Sequence, residues 1–359
     1  MNPGPAPDRS GAPRRPAARP GPGDLPAGLE LVAPRSLVRQ APVARLALAP
    51  GDRPLVGSGE SVVAGTPLAE LARVRRAAVI PAAAVGPDAA PGSWWAGAAP
   101  RRGAARSRRG PDEGELLCRT DGSWQLAVGE RGGLLEAPAA GVVRLVRPGA
   151  GISLATAGLA MAGVLATGGP VRGRLVVLAD ARAELSRGAL DVGLAGAIVV
   201  AGSRVDAETL TRARAMGIHG VVVASVGSRD LRDLAASEAR QRASLHPPAP
   251  FAVLALEGYL RQPIASPVFD LLVALADRDV AIVDDPPGLL FERLDPPAPS
   301  PPPDLVRMRA GPAVGREGRW LGLAGRRRFA SGTQLEAGLV DVGEARPLLV
   351  PLADLERFA

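Results

Sequence analysis

The 359-residue sequence contains no lysine, and all 43 of its basic residues are arginine. A P-loop needs a lysine on the nucleotide phosphates and a Schiff-base enzyme needs a lysine amine, so both are excluded. The single cysteine, Cys118, excludes a disulfide framework and a cysteine metal cluster. With His219 and His246 as the two histidines, neither a histidine zinc site nor a Ser-His-Asp triad is expected. We therefore predict no catalytic residue, no metal and no cofactor.

Aromatic residues are also scarce, at 3% of the chain, whereas apolar residues make up 47%. The hydrophobic cores must therefore be built from Ala, Val and Leu. The formal net charge of +7 allows a polyanionic partner without requiring one. The lone cysteine fits a reducing compartment, and the stretch Met1 to Gly23 lacks the apolar core of a signal peptide, which predicts a cytoplasmic protein.

One uncharged stretch, Pro148 to Val171, is long enough to suggest a membrane span. It contains six glycines and two prolines, and its large apolar residues are widely spaced. This composition favours β-strands, so no membrane association is expected.

Composition along the chain predicts a multidomain α/β plus β protein. The predicted parts are a disordered basic tail (1–28), a β domain (29–170) with an Arg-rich insertion (about 72–132), an α/β domain (171–285), a Pro-rich linker (286–303) and a C-terminal barrel (304–359).

The β domain contains two separated segments with related patterns. The first runs through Pro50-Gly-Asp to Val63-Ala-Gly-Thr-Pro-Leu, and the second begins with Glu136-Ala-Pro-Ala-Ala-Gly-Val-Val. They resemble the two halves of a biotinyl/lipoyl-type barrel-sandwich. In carrier members of that family, a lysine between the halves takes the cofactor. The insertion that occupies this place has no lysine, so we expect a split barrel-sandwich scaffold without covalent lipoyl or biotin.

The insertion has two recognisable parts. Between Gly92 and Gly110 it carries five arginines, no acidic residue and the pair Trp94-Trp95. Arginine beside exposed aromatics suits phosphate contact and base stacking, although such segments are also often solvated loops. The later sequence around Asp121-Gly122 predicts a β-hairpin with a tight turn.

From Val171 onward, short apolar runs alternate with helical patterns. Predicted helices cover 181–193, 206–216, 229–242 and 267–276, and apolar runs lie between them and after the last. Buried runs alternating with helices are typical of a parallel, Rossmann-like α/β sheet, and we predict that fold for this region.

Five polar residues at the ends of these runs are candidate ligand contacts: Asp180, Ser203, Arg204, Ser225 and Asp284. Ligands of such sheets bind at the carboxyl ends of the strands, so Asp180 with Asp284 could hold Mg²⁺ or a ribose. An anion near Arg204 at a helix start is a second option. The alternative is that the acidic residues cap the helices that follow.

The last segment is a series of short alternating runs with turn glycines at Gly311, Gly315 and Gly318. Further runs cover 338–342 and 348–352, a pattern that suits a small closed barrel. The segment resembles a KOW motif on an SH3-like β-barrel, as in NusG-type transcription factors and some ribosomal proteins. The resemblance covers about a sixth of the chain. It implies a hairpin that touches nucleic acid or protein.

Between Asp304 and Ala330 there are seven arginines against two acidic residues. The candidate contacts are Arg307, Arg309, Arg316, Arg319, Trp320, Arg326, Arg327, Arg328 and Phe329. A cationic hairpin with two aromatics could hold RNA or DNA phosphates and stack a base, or could bind an acidic protein surface.

The leading hypothesis is a non-enzymatic adaptor that binds nucleic acid or a nucleoprotein assembly through the barrel. The alternative is a regulatory protein that binds a small molecule or nucleotide in the α/β domain. An enzyme would need a pocket with perturbed carboxyl groups, which a sequence cannot reveal.

Overall fold

The computed structural model describes residues 25–40, 42–49, 51–97, 113–243, 249–297 and 300–359. Most of the predicted basic tail and the run Arg101 to Arg109 lie outside the described residues. The chain forms two compact units. Unit 1 comprises Met1–Pro34, Pro301–Gly311 and Arg316–Phe358, and unit 2 comprises Arg35–Ser300, Pro312–Gly315 and Ala359.

The first half of the chain contributes β1 (Ala33–Arg35), β2 (Arg39–Gln40), β3 (Val43–Ala47), β4 (Arg53–Pro54), β5 (Ser61–Val62), β6 (Pro67–Pro81), β7 (Trp94–Trp95), β8 (Gly114–Thr120), β9 (Ser123–Glu136), β10 (Gly141–Arg147), β11 (Gly151–Thr156), β12 (Leu159–Ala162), β13 (Leu165–Thr167) and β14 (Val171–Val177). The second half contributes β15 (Ile198–Val200), β16 (Arg204–Val205), β17 (Gly220–Val226), β18 (Ala252–Gly258), β19 (Asp279–Asp284), β20 (Pro287–Phe291), β21 (Leu305–Met308), β22 (Glu317–Arg328), β23 (Gln334–Asp341), β24 (Leu348–Pro351) and β25 (Leu355–Phe358). The α-helices among the described residues are α1 (Ala207–Ala215), α2 (Ser228–Ala243) and α3 (Ser266–Ala274).

The predicted fold class is wrong, because the protein is β-rich and its sheets are mostly antiparallel. Among the described residues, 45% lie in strands and 16% in helices. The predicted helix at 181–193 is replaced by loop and two short 3-10 turns, Arg187–Ala189 and Val192–Leu194. The described residues therefore do not form the central Rossmann-like parallel α/β domain that the sequence pattern predicts.

The central region is instead a ten-stranded mixed sheet with the order β13-β18-β17-β15-β14-β19-β20-β12-β2, and β16 pairs with β17. The pairs β14–β15, β15–β17, β16–β17 and β17–β18 are parallel. On one side of them β13 is antiparallel, and on the other side β19, β20, β12 and β2 continue in antiparallel order. The apolar run of β19 reads like a parallel strand because it is also buried, at four of its six residues.

Two further antiparallel sheets lie in unit 2, with the orders β3-β11-β10-β5 and β4-β6-β9-β8-β7. The alternation of buried and half-buried residues along β11 places Ile152 and Leu154 in a core that also contains Leu68 and Leu135. Strands β6 and β9 pair along almost their whole length, from Pro67–Glu136 to Pro81–Ser123. The predicted hairpin is confirmed: β8 turns into β9 through Asp121 and Gly122, both with positive φ.

Unit 1 contains a six-stranded antiparallel sheet with the order β1-β25-β21-β22-β23-β24. Strands β21 to β24 follow one another as a meander, a 3-10 turn at Leu352–Asp354 comes next, and β25 returns to pair with β21. Its buried residues include Val306, Trp320 and Leu355. No helix in the described ranges is both long and apolar enough to cross a membrane.

Candidate functional site

The hairpin formed by β22 and β23 extends well beyond the buried part of unit 1. Its ladder runs from Arg319–Asp341 to Arg328–Gln334, and a five-residue loop closes it. In the loop, Phe329 N–H donates to the Thr333 carbonyl at 3.0 Å, and Gly332 takes a left-handed φ of 82°. Every residue from 325 to 336 is exposed except Phe329, which is half-buried. We call this segment, Gly325–Glu336, the distal arm.

Three consecutive arginines lie at the end of β22, in the distal arm. Because side chains alternate along a strand, Arg326 and Arg328 face one side of the ribbon and Arg327 faces the other. Across the ladder, Arg326 lies opposite Glu336, Arg327 opposite Leu335 and Arg328 opposite Gln334. None of the three guanidinium groups takes part in an ion pair with a described residue. The arm therefore presents three concentrated positive charges and one negative charge, Glu336 opposite Arg326, with no close ion pair to a described residue.

The other predicted arginines of unit 1 differ, because most of them have acidic partners. Arg316 lies 2.7 Å from a Glu344 carboxylate oxygen, and Arg319 lies 3.6 Å from Asp341. Arg307 is only 1% exposed and lies 3.7 Å from Glu356.

Arg309, at the end of β21, is exposed, and its backbone N–H donates to the carbonyl of Asp354 at 2.8 Å. Arg309 is thus exposed, as are the arginines of the distal arm, but it stands alone, whereas the arm brings three exposed arginines together.

Trp320 is a core residue rather than a stacking surface. Its side chain is 4% exposed, and its indole Nε1–H donates to the carbonyl of Ala27 at 3.2 Å. The ring lies directly over Gly338, where an added Cβ would come within 2.1 Å of it. Phe329 is therefore the one aromatic residue of the predicted cluster that is accessible to a ligand.

Of the predicted strand-end residues, Asp180 and Ser203 lie in neighbouring loops of the central sheet, and Ser225 lies near the end of β17. The Oδ1 atom of Asp180 accepts hydrogen bonds from the backbone N–H groups of Arg182 and Ala183, each at 2.8 Å. These bonds lower the pKa of the Asp180 carboxyl. The Ser203 hydroxyl donates to the Ala183 carbonyl at 3.0 Å, and the buried Ser225 hydroxyl donates to the Ser203 carbonyl at 2.8 Å. These polar groups hold the loops in place instead of facing a ligand.

The expected pairing of Asp180 with Asp284 is wrong. Asp284 ends β19, and β19 runs antiparallel to β14, with Val171 opposite Ile282. The carboxyl end of β19 therefore lies beside the amino end of β14, whereas Asp180 follows the carboxyl end of β14. The two carboxylates lie at opposite edges of the sheet and cannot share a magnesium ion or a ribose.

An open cleft of about 600 Å³ lies where β16 and β17 end and α1 and α2 begin. Its lining residues include Arg204, Asp206, Asp230 and Tyr259. Arg204 is 3.3 Å from Asp230, whose other oxygen accepts the N–H of Ala207 at 3.2 Å.

Asp206 caps α1, because its carboxylate accepts the N–H of Thr209 at 2.7 Å, and this bond lowers its pKa. The start of α1 is thus already occupied by protein carboxylates, which disfavours the predicted anion site. Among the described residues no group of three or more His, Cys, Asp or Glu side chains could hold a metal ion.

Sequence reasoning missed the acidic partners Asp341 and Glu344 and the polar end of the hairpin. Asp341 is recoverable from the sequence once the hairpin register is known, since it lies directly opposite Arg319. Ser331, Thr333 and Gln334 add exposed hydrogen-bonding groups to the tip beside the arginines.

Comparison with protein-family models finds no match to this chain, and comparisons with curated proteins and with solved structures find none either. The geometry of the distal arm is therefore the basis for assigning a function.

Proposed function

We propose that this protein is a non-enzymatic adaptor that binds nucleic acid through the distal arm of unit 1. The observation that carries the proposal is the run of three exposed arginines, Arg326 to Arg328, without ion-pair partners among the described residues. Adjacent guanidinium groups repel one another, so a polyanion that bridges them removes an unfavourable interaction as well as adding favourable ones.

The strand order of unit 1 supports assigning it as the KOW-like, SH3-like module that the sequence pattern predicts. A four-strand meander, a 3-10 turn and a last strand that returns to the first strand suit a small barrel of that kind. The turn with Gly311 and Gly315 leads into β22, so the β22–β23 hairpin is the hairpin that we expect to contact the partner. No observation favours a small-molecule site in the central sheet, because the polar groups at its strand ends are already satisfied.

Fluorescence anisotropy of labelled single-stranded RNA and duplex DNA tests the proposal. The arm variant carries Arg326→Gln, Arg327→Gln and Arg328→Gln, which removes three positive charges, and the control carries Arg316→Gln and Arg319→Gln, which removes two. The control removes charge from the same unit, but from arginines that already have acidic partners.

Each phosphate contact contributes about 0.9 to the slope of log affinity against log salt on duplex DNA. Loss of three contacts should lower the magnitude of that slope by about 2.7. Between about 50 and 200 mM salt, the wild type should therefore lose about 40-fold more affinity than the arm variant. The control should bind as the wild type does, within about threefold. Equal losses in both variants would refute the assignment to the arm. Absence of binding by the wild type would refute nucleic-acid binding and leave an acidic protein surface as the partner.

A further inference from the structure

We infer that the distal arm takes double-helical DNA and enters its major groove as a two-stranded ribbon. This inference rests on the proposed function, since it specifies the nucleic acid that the arm binds. The dimensions of the arm, the distribution of its polar groups and its small aromatic surface support double-helical DNA.

The arm has dimensions that fit the groove. Two paired strands lie about 4.8 Å apart, and the major groove of B-DNA, about 12 Å wide and 8.5 Å deep, admits such a ribbon. The paired residues Gly325 to Arg328 span about 10 Å before the loop begins. The arm is therefore longer than the groove is deep. Because residues 325–336 are exposed on both faces, apart from half-buried Phe329, the described part of unit 1 leaves room for groove walls on either side.

The polar groups are distributed as a groove requires. Arg326 and Arg328 face one side of the ribbon and Arg327 the other, so guanidinium groups can reach the phosphates of both walls. At the tip, the Ser331 hydroxyl donates to the Thr333 hydroxyl oxygen at 3.2 Å, so the Thr333 hydroxyl keeps its proton to donate to base edges. The one acidic residue of the arm, Glu336, lies at its base, directly opposite Arg326.

Single strands and RNA duplexes fit this arm less well. Binding of a single strand uses exposed aromatic side chains as stacking surfaces, but Trp320 is buried and Phe329 is half-buried. The major groove of A-form RNA is deep and too narrow for side chains to read. The combination of a projecting ribbon, charge on both faces and little aromatic surface favours B-form DNA.

The test compares full-length wild type and the Arg326→Gln, Arg327→Gln, Arg328→Gln variant on four probes at one salt concentration. The probes are a mixed-sequence DNA duplex, an RNA duplex of the same sequence, one DNA strand alone, and the DNA duplex with glucosylated hydroxymethylcytosine filling its major groove. We expect the unmodified DNA duplex to bind at least about tenfold tighter than each other probe, and only in the wild type.

Equal or tighter binding of the single strand or the RNA duplex would overturn the inference, and so would equal affinity for the glucosylated duplex. In those cases, arm-dependent binding would leave the proposed function intact. Failure of the wild type to bind any probe would overturn both.

Discussion

Trp320 is buried against Gly338, so a substitution at Gly338 tests whether Trp320 is a core residue or a ligand-binding one. Gly338 lies on β23 opposite Leu323 and Val350, and its φ is outside the left-handed region. A Cβ there would lie 2.1 and 2.4 Å from the Cζ3 and Cη2 atoms of the Trp320 ring. The backbone at 338 therefore accepts alanine, and any cost of Gly338→Ala arises from packing alone.

Two opposing effects determine how much Gly338→Ala changes the free energy of unfolding. Replacing glycine by alanine at a compatible position stabilises a protein by about 0.4–1 kcal/mol through the unfolded state. Overpacking a core by one methyl group costs about 1–3 kcal/mol. We expect Gly338→Ala to lower the free energy of unfolding of unit 1 by about 1–2 kcal/mol. Gly57→Ala, in unit 2, is the control for the substitution itself, because its Cβ would meet no atom within 4 Å and its φ is ordinary; it should leave the stability of unit 1 unchanged.

Amide hydrogen exchange of a peptide covering Gln334–Asp341 measures the local opening free energy without relying on tryptophan fluorescence. In a Trp320→Ala background, the added methyl at position 338 no longer meets the ring, so the penalty for Gly338→Ala should disappear. Strictly additive effects of the two substitutions would refute the packing argument. We also expect Trp320→Ala to lower stability but, below its unfolding transition, to leave arm-dependent binding in place.

Three further predictions concern the central sheet and helix α1 beside it. Gly202→Ala should destabilise by about 2–4 kcal/mol, because φ is 72° and the Cβ would lie 2.3 Å from the Ala183 carbonyl oxygen; thermal unfolding measures it. Arg214→Ala should cost about 3 kcal/mol in urea unfolding, since this side chain is 4% exposed and lies 3.1 Å from Glu238. Asp206→Ala should cost about 1 kcal/mol at neutral pH. Because the folded pKa of Asp206 lies below 3.8, its stabilisation is present above that pH and is lost as pH falls through the folded pKa, so the gap should close in acid.

Much of the local structure was predictable from short-range patterns. Helices α1, α2 and α3 lie within two residues of their predicted bounds, Asp206 caps α1 as its position predicts, and the Asp121-Gly122 turn forms the expected hairpin. Periodicity failed at 181–193, where the Asp180 carboxylate holds the following backbone N–H groups and the Ala183 carbonyl accepts the Ser203 hydroxyl. The contact between Ala183 and Ser203 spans 20 residues, so a window of helical length does not detect it.

Strand direction was the main property that the sequence left undefined. A buried strand reads as an apolar run whether its neighbours are parallel or antiparallel. The apolar run of β19 fits a parallel or an antiparallel neighbour equally well, and only its antiparallel pairing with β14 puts Asp284 at the edge opposite Asp180. Pairing partners depend on chain segments more than 100 residues apart, as in Arg172 opposite Ala281, so no local pattern records them.

In the candidate site, too, the sequence determines some properties and the tertiary structure determines the others. The absence of lysine, the isolation of the cysteine and the run Arg326-Arg-Arg next to a turn are properties of the chain, and they exclude lysine chemistry and a disulfide framework. Which arginines remain accessible is a property of the packed sheet. Asp341 and Glu344 come beside Arg319 and Arg316, whereas no carboxylate among the described residues pairs with the arm. Charge compensation depends on distances of a few ångströms between separate segments, and folding alone sets those distances.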